Sequence, residues 1–434
     1  MRKAIVWAEQ AFTIVSLLLY SGGPLTLILT GGASEGEAHV GVPTEFPQIQ
    51  ILFLLNYLAI AFLLVARWKK AIYVLSKDRF IWTLVGIAVV SMLWSFNPTV
   101  TQNRSIALVG TSLFGFYLAS RYSIKEQLKL LMWTLSIVLL LSLLFAIALP
   151  KYGIMGGIHA GAWRGIYVHK NVFGKIMVLS TLIFWFQVTD SKQKSWFLWL
   201  CLGLSVCFSL LAKSTGSLIN LVTLFTLIPI YQIFRWRYHV MIPAVIAILI
   251  VSSSLSLWIT SNAATLLGLL GKDPTLTGRT DMWPYMVDMI EKQPWLGYGY
   301  SGFWQGWDSP SAYVWRAAMW MPPNAHNGLL DLWLDLGLLG VCVFLLGFGT
   351  IILKSLAWLR ITKSSEGLWP LLFLTYMFLA NLSESSLMIR NDIFWVLYVA
   401  VAFSSLLLPK TTATVRDFQI KQYPKCRVHQ CEKT

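Results

Sequence analysis

One stretch of the sequence, residues 278–337, combines side chains that could do chemistry. It contains Gly278-Arg279, an aromatic and glycine-rich run, Ala325-His326-Asn327, and then Asp331 and Asp335. A neutral imidazole can take a proton from a hydroxyl group, and an arginine can hold a phosphate through paired hydrogen bonds. The stretch therefore predicts a site in which a histidine activates a hydroxyl beside a bound phosphate.

The surroundings of His326 suggest how it is positioned. Asn324 follows two prolines and is predicted to be the N-cap of a helix, which would place His326 in the first turn. The partial positive charge of a helix N-terminus favours the neutral imidazole. A purely capping or interfacial histidine remains the alternative. Asp331 and Asp335 share one helix face, where buried charges need partners or a wet cavity; the predicted partners are Arg164, Arg279 and Lys213.

A second group of cations surrounds the start of another predicted helix. Arg164 precedes it, Lys170 and Asn171 open it, and Lys175 follows one turn later. Cations at a helix N-terminus add to its dipole and favour an anion such as phosphate. The alternative is that these lysines extend towards lipid headgroups.

Two isolated cations are further candidates for phosphate binding. Lys213 opens the short polar turn Lys213-Ser214-Thr215, and Arg104 lies near the start of the fourth predicted membrane span. A simple polar hairpin and an interfacial arginine explain them equally well.

The segment before His326 is rich in aromatic residues, among them Tyr298. Aromatic rings stack on the faces of sugars, but they also form belts at membrane surfaces. We expect most of them to belong to a belt or to the loop core, and one or two to line a path for a glycan. Tyr298 is included among the candidate substrate-binding residues.

The elements that position these residues are predicted to be membrane helices. The 434 residues are 56% hydrophobic and 12% charged, with a mean hydropathy of +0.65, which excludes an ordinary soluble domain. About twelve apolar stretches approach the length that crosses a bilayer. They cover residues 11–30, 49–66, 80–95, 105–119, 128–149, 171–188, 196–212, 216–234, 240–260, 327–353, 368–382 and 391–408.

The distribution of charge predicts an orientation. The net charge of +15 is concentrated in alternate loops, as expected for cytoplasmic loops, and does not indicate nucleic-acid binding. Both termini are then cytoplasmic. Residues 1–260 would form nine helices, residues 261–326 a long outer loop with short amphipathic helices, residues 327–408 three more helices, and residues 409–434 a basic cytoplasmic tail. No metal-binding cluster or nucleotide motif stands out, so no cofactor is predicted.

Several short motifs resemble the O-antigen ligase and polymerase superfamily. They are Gly278-Arg279, Pro294-Trp295-Leu296-Gly297-Tyr298-Gly299, Ala325-His326-Asn327, Leu334-Asp335-Leu336-Gly337 and His169-Lys170-Asn171. The predicted arrangement, about twelve helices with a long loop between the ninth and tenth, is similar as well. The run Ala325-His326-Asn327-Gly328 looks most like exopolysaccharide polymerases.

The resemblance implies an all-α integral membrane glycosyltransferase of GT-C type in the bacterial inner membrane, with its active site facing the periplasm. It implies an undecaprenyl-diphosphate-linked glycan as donor, no metal, His326 as general base, and Arg279 with Arg164 as diphosphate ligands. Arg104, Lys170, Asn171, Lys213, Asn327, Asp335 and Tyr298 are the remaining candidates for substrate binding.

The resemblance leaves the reaction open. A polymerase joins lipid-linked repeats, and a chain-length regulator or export complex would be its expected partner. A ligase transfers the glycan to lipid A-core or to protein. A lipid-oligosaccharide flippase and a structural subunit are the alternatives from other classes. A flippase should show repeated halves and charges within its helices, and neither is apparent.

Overall fold

The apolar stretches of the sequence fold into helices. The computed structural model describes residues 2–33, 46–190, 195–262, 279–362 and 364–407, and within these ranges there is no β-strand. The first part of the chain forms α1 Arg2–Tyr20, α2 Leu25–Leu29, α3 Pro47–Val65, α4 Trp68–Leu75, α5 Phe80–Val90, α6 Pro98–Arg121, α7 Ile124–Ala148, α8 Pro150–Gly153 and α9 Lys170–Asp190. The remainder forms α10 Trp196–Leu211, α11 Thr215–Ile233, α12 Tyr238–Ser261, α13 Arg279–Lys292, α14 Ser311–Ala318, α15 Gly328–Ile361, α16 Trp369–Ala380 and α17 Ile393–Leu407.

Length and hydropathy identify a multi-pass membrane protein. Within the described ranges, seven helices are long and apolar enough to cross a bilayer, namely α1, α3, α7, α9, α11, α12 and α15. The expected number was twelve. Other predicted spans correspond to helices that are shorter, such as the 12-residue α16, or less apolar, such as α6.

Two predicted helix boundaries are wrong. The first span was placed at residues 11–30, but α1 runs from Arg2 to Tyr20 and the chain turns at Gly22, which has a φ of 89°. The tenth was placed at residues 327–353, but α15 continues to Ile361. The prediction for residues 409–434 lies outside the described residues, as does most of the first part of the loop at 261–326.

The core of the bundle surrounds α17. Every side chain from Ile393 to Ser405 is buried, so this helix is apolar on all sides. It packs along α6, where a side chain on Gly115 would meet the Val396 carbonyl oxygen at 2.5 Å. Small residues therefore let the two backbones approach closely. Just before α17, the Asn391 N–H donates to the Thr111 hydroxyl at 2.9 Å, which ties the preceding loop to α6.

The helix α15 is interrupted at Gly337, and the break fastens the loop to the bundle. Gly337 has a φ of 64° and a ψ of −168°, far from helical values. In a continuous helix the Leu338 N–H would bond to the Leu334 carbonyl. Here Leu338 donates to the Pro294 carbonyl at 2.7 Å, and the Leu334 carbonyl accepts from the Tyr298 N–H at 2.8 Å. The segment 294–298 thus satisfies the backbone groups that the break exposes.

Both sides of this junction require glycine. A side chain on Gly337 would lie 2.2 Å from the carbonyl of Trp295, and one on Gly297 would lie 2.5 Å from the carbonyl oxygen of Leu334. Both glycines also have positive φ. The two glycine motifs of the sequence are therefore the two halves of one backbone junction, which sets the loop directly above the start of α15.

The loop has a small core of its own. Met282, Tyr285, Met286, Met289 and Ile290 recur at helical spacing, which predicts a short amphipathic helix, and α13 covers these residues. Four of the side chains are buried, while Tyr285 is only partly buried. The helix starts at Arg279 rather than after it. We call the side of the bundle that carries α13, α14 and the segments 320–327 and 381–392 the loop face.

Candidate active site

His326 lies just ahead of α15 on the loop face, with a backbone φ of 48°. The N-cap of α15 is Asn327, whose side-chain oxygen accepts from the N–H groups of Leu329 at 3.0 Å and Leu330 at 3.2 Å. Asn324 was predicted to be the cap; instead its side-chain oxygen accepts the His326 N–H at 2.9 Å. His326 therefore precedes the helix instead of occupying its first turn. Asn327, a candidate for substrate binding, serves as a helix cap.

A carboxylate faces the imidazole of His326. The Nδ1 atom lies 3.6 Å from Glu384 Oε2, within ion-pair distance but longer than a hydrogen bond. This Nδ1 is buried and has no hydrogen-bond partner in the described part of the chain. On its other side Glu384 accepts from the Asn171 side-chain amide at 2.9 Å. Asn171 thus reaches the site through Glu384, and Trp320 stacks beside the imidazole with a ring separation of 6.1 Å.

Asp331 holds this arrangement together. Its carboxylate accepts from the Trp304 indole N–H at 2.8 Å, from the Ala325 N–H at 3.0 Å and from the Ser385 hydroxyl. These donors belong to three segments, two of which run directly into His326 and Glu384. Asp331 was expected to pair with Arg164, Arg279 or Lys213. Its described partners are instead neutral donors, and it connects the segments that carry the histidine and its carboxylate.

A cavity of about 1110 Å³ opens beside these residues. Its polar end is lined by Asn324, Asp331, Ser385, Asp335, Arg104 and Arg390. Its other end is lined by apolar side chains of α1 and α3, among them Val15, Leu18, Leu52 and Leu55. Val15 is 64% exposed and Leu55 58% exposed, so this end opens towards the surface of the bundle that faces lipid. One space therefore joins a charged pocket at the loop face to an apolar groove.

Two arginines face this space from different elements. Arg104 lies on α6, and Arg390 lies in the loop that Asn391 ties to the same helix. Asp335 lines the same end of the cavity and accepts a backbone hydrogen bond from Ser301. Two guanidinium groups in one pocket can hold two phosphates, which makes this the described place best suited to a diphosphate.

Comparison with known proteins finds a match to part of the chain. Residues 200–345 match the model of the Wzy_C family, described as O-antigen ligase. The match runs from α10 into α15, so it includes His326, Asp331 and the break at Gly337, and it confirms the resemblance found in the sequence.

A curated relative supports the same conclusion over a short stretch. The chain is 31% identical over 80 residues to the "Exopolysaccharide production protein ExoQ" of Rhizobium meliloti (strain 1021). The matched stretch covers 18% of this chain and 18% of that protein.

The lysine candidates occupy different places. Lys170 opens α9, and its backbone N–H donates to the Met155 sulfur at 3.3 Å. Lys175 donates to the Ser386 hydroxyl at 2.6 Å and lies over the ring of Phe394. Lys213 is exposed in its turn with a φ of 50°. Lys175 thus supports the loop of Glu384, while Lys213 does not line the main cavity.

Arg164 was a candidate diphosphate ligand, and its contacts indicate a structural role. It is fully buried, and its five N–H donors are directed at five backbone carbonyls. These carbonyls belong to Gly32, Ala33, Lys151, Tyr152 and Val168. The guanidinium therefore joins the turn after α2 to α8 and to the segment that precedes α9, and it has no donor left for a ligand.

Tyr298 makes contacts that stabilise the loop. Its hydroxyl donates to the Met289 carbonyl at 2.8 Å, and its ring packs edge-on against Phe303. Burial raises the pKa of its phenol. Tyr298 was expected to contact substrate. Its described contacts hold α13 against the junction at Gly337, and it also lines a second cavity on the loop face. The side chain of Arg279 lies outside the described part of the structure.

Sequence reasoning missed two residues of the site. Glu384 lies in a polar turn between two predicted helices and carries no motif. Arg390 belongs to no motif, and nothing in the sequence connects it to Arg104. Basic residues that break the charge bias of a membrane protein were the available signal for Arg390. Glu384 could be found only through its contact with His326.

Proposed function

We propose that the protein is a glycosyltransferase of the bacterial inner membrane that transfers an undecaprenyl-diphosphate-linked glycan to a sugar hydroxyl on the periplasmic face. The observation that carries the proposal is a cavity lined by Arg104, Arg390 and apolar side chains of α1 and α3, and also by Asn324 and Ser385, which hold or adjoin the His326–Glu384 pair. A lipid diphosphate has the same two parts, a charged headgroup and a long apolar hydrocarbon chain. The O-antigen ligase match and the exopolysaccharide relative favour the same substrate class.

In the proposed reaction, His326 Nε2 accepts the proton of the acceptor hydroxyl while Nδ1 faces Glu384. The hydroxyl oxygen forms a bond to the anomeric carbon of the donor sugar, and the bond from that carbon to the diphosphate oxygen breaks. The lipid diphosphate leaves with the bonding electrons. Arg104 and Arg390 stabilise the negative charge that develops there, and Arg279 is added on the basis of the family resemblance. The Glu384 carboxylate stabilises the imidazolium formed.

Between the two family reactions we propose polymerisation of exopolysaccharide or O-antigen repeat units, with a GT-C-type arrangement. The relative named for exopolysaccharide production favours this choice. Transfer of a finished glycan to lipid A-core or to protein is the second candidate, favoured by the name of the matched family.

The lipid-linked intermediates of a strain lacking the gene test the proposal. A lost polymerase leaves single repeats on undecaprenyl diphosphate, whereas a lost ligase leaves long chains on the same lipid. Complementation with His326→Ala should fail in either case, although the variant is present in the membrane at the wild-type level. Accumulation of neither intermediate, or full complementation by His326→Ala, would contradict the proposal.

A further inference from the structure

A second cavity, of about 780 Å³, lies on the loop face between the bundle and the loop helices. One wall comes from the connection between α5 and α6, another from the end of α13, and the third from the segment that leads into α14. It is lined in part by the rings of Trp94, Phe96, Trp307 and Tyr313. Nothing in the catalytic proposal uses this cavity.

The cavity combines ring faces with groups that bond to hydroxyls. Lys292, Gln293, Asp308 and Arg316 line it together with the rings. Amide, carboxylate and guanidinium groups donate to or accept from the hydroxyls of a sugar, while an aromatic ring packs against its C–H face. A belt of aromatics at a membrane surface would need neither a concave site nor a carboxylate. The combination therefore favours a saccharide over lipid headgroups.

Two tryptophans join this cavity to the active site. Trp307 lines the second cavity and Trp315 lines the main one, and their rings are 5.3 Å apart at an angle of 78°. Trp315 is fixed by its indole N–H, which donates to the Pro322 carbonyl at 3.0 Å. The two cavities therefore adjoin at this pair of rings.

We propose that the second cavity is a binding subsite for an oligosaccharide, the part of the glycan that lies several sugars away from the reacting bond. Trp307 provides the stacking surface at the boundary between the two cavities. The subsite rests on the proposed function for its connection to catalysis, but its affinity for sugars can be measured without any transfer. The subsite would influence the length of the product, because each added sugar unit makes further contacts there.

Binding to the full-length protein in lipid nanodiscs tests the subsite. The probes are three soluble hexasaccharides, namely cellohexaose, maltohexaose and hexagalacturonate, titrated against the tryptophan fluorescence of the protein. The matched variants are Trp307→Ala and Trp295→Ala, because Trp295 is a 69% exposed tryptophan of the same loop outside the cavity. We expect at least one probe to bind, Trp307→Ala to weaken it about tenfold, and Trp295→Ala to leave it within twofold.

The same titration in His326→Ala separates the subsite from the catalytic proposal. We expect unchanged hexasaccharide binding in this variant, because His326 does not line the second cavity. In the active protein, Trp307→Ala should shorten the product chains while the first transfer stays within twofold of wild type. No binding of any probe, or equal binding by wild type and Trp307→Ala, would overturn the subsite whatever the outcome for catalysis.

Discussion

The Nδ1 atom of His326 lies 3.6 Å from Glu384 Oε2, and Asn171 holds the other oxygen of the same carboxylate at 2.9 Å. The carboxylate therefore has a fixed place on one side of the imidazole, which directs Nε2 away from it. A carboxylate in this position stabilises the ring once it has accepted a proton. It acts through the histidine and is in this sense a positioning residue.

We expect Glu384→Gln to lower kcat roughly tenfold to a hundredfold, less than the loss from removing a general base itself. The glutamine oxygen keeps the hydrogen bond from Asn171, so the fold is retained and only the charge beside the imidazole is lost. Transfer rates from a fluorescent lipid-linked donor in proteoliposomes measure the effect, and the KM for donor should stay within twofold. Glu291→Gln, an exposed change on α13, is the control. An unchanged kcat would remove Glu384 from the mechanism.

Arg104 and Arg390 should determine affinity for the donor. Replacing either one with glutamine removes a charge-assisted contact to the diphosphate, which is worth about 1.5–3 kcal/mol, so the donor KM should rise roughly tenfold to a hundredfold. Arg237→Gln, an exposed change at the N-cap of α12, is the matched control. A donor KM that does not change in either arginine variant would place the diphosphate elsewhere.

Replacement of Asp331 should lower both the thermal stability of the protein and its transfer rate. Asp331→Asn replaces one acceptor oxygen with an NH₂ group that faces the donors of Trp304, Ala325 and Ser385, and each buried donor left without a partner costs about 1–3 kcal/mol. We expect a lower Tm and a lower kcat, because the segments before His326 and around Glu384 are no longer held together. Thermal unfolding and transfer rates are compared with Glu291→Gln, a change at an exposed position of α13. A different result would contradict a positioning role. If Asp331→Asn lost activity at an unchanged Tm, and if removal of the Trp304 indole left activity unchanged, Asp331 would act directly on the substrate.

The sequence could predict the helices and His326 as a candidate base, but not the contacts that surround this residue. Apolar length and helical spacing predicted the membrane helices and the buried face of α13, since both depend on local periodicity. The cap of α15 was misplaced by three residues, because Asn324 and Asn327 have the same local chemistry and only their tertiary contacts distinguish them. Arg164 looked like an anion ligand because its charge is visible in sequence, whereas the five carbonyls around it come from distant turns.

Gly337 should be required for attachment of the loop. Gly337→Ala places a side chain 2.2 Å from the Trp295 carbonyl and favours a continuous helix, so Leu338 would bond to Leu334 and the segment 294–298 would detach. Hydrogen exchange at the Tyr298 amide should become at least about tenfold faster, and transfer should be lost. Gly349→Ala in the same helix is the control, because a side chain there meets nothing within 4 Å. Equal exchange in the two variants would show that the junction tolerates a side chain.

Arg164 distinguishes a structural arginine from a substrate ligand. A lysine has three donors on one nitrogen and cannot replace five N–H groups that face five separate carbonyls, so Arg164→Lys leaves buried carbonyls without partners at about 1–3 kcal/mol each. We expect a clear fall in Tm, while the folded fraction retains a donor KM within twofold of wild type. Arg237→Lys on the exposed surface is the control for the chemical change. A wild-type Tm combined with a raised donor KM would return Arg164 to the diphosphate site, since only a ligand role predicts that pair of results.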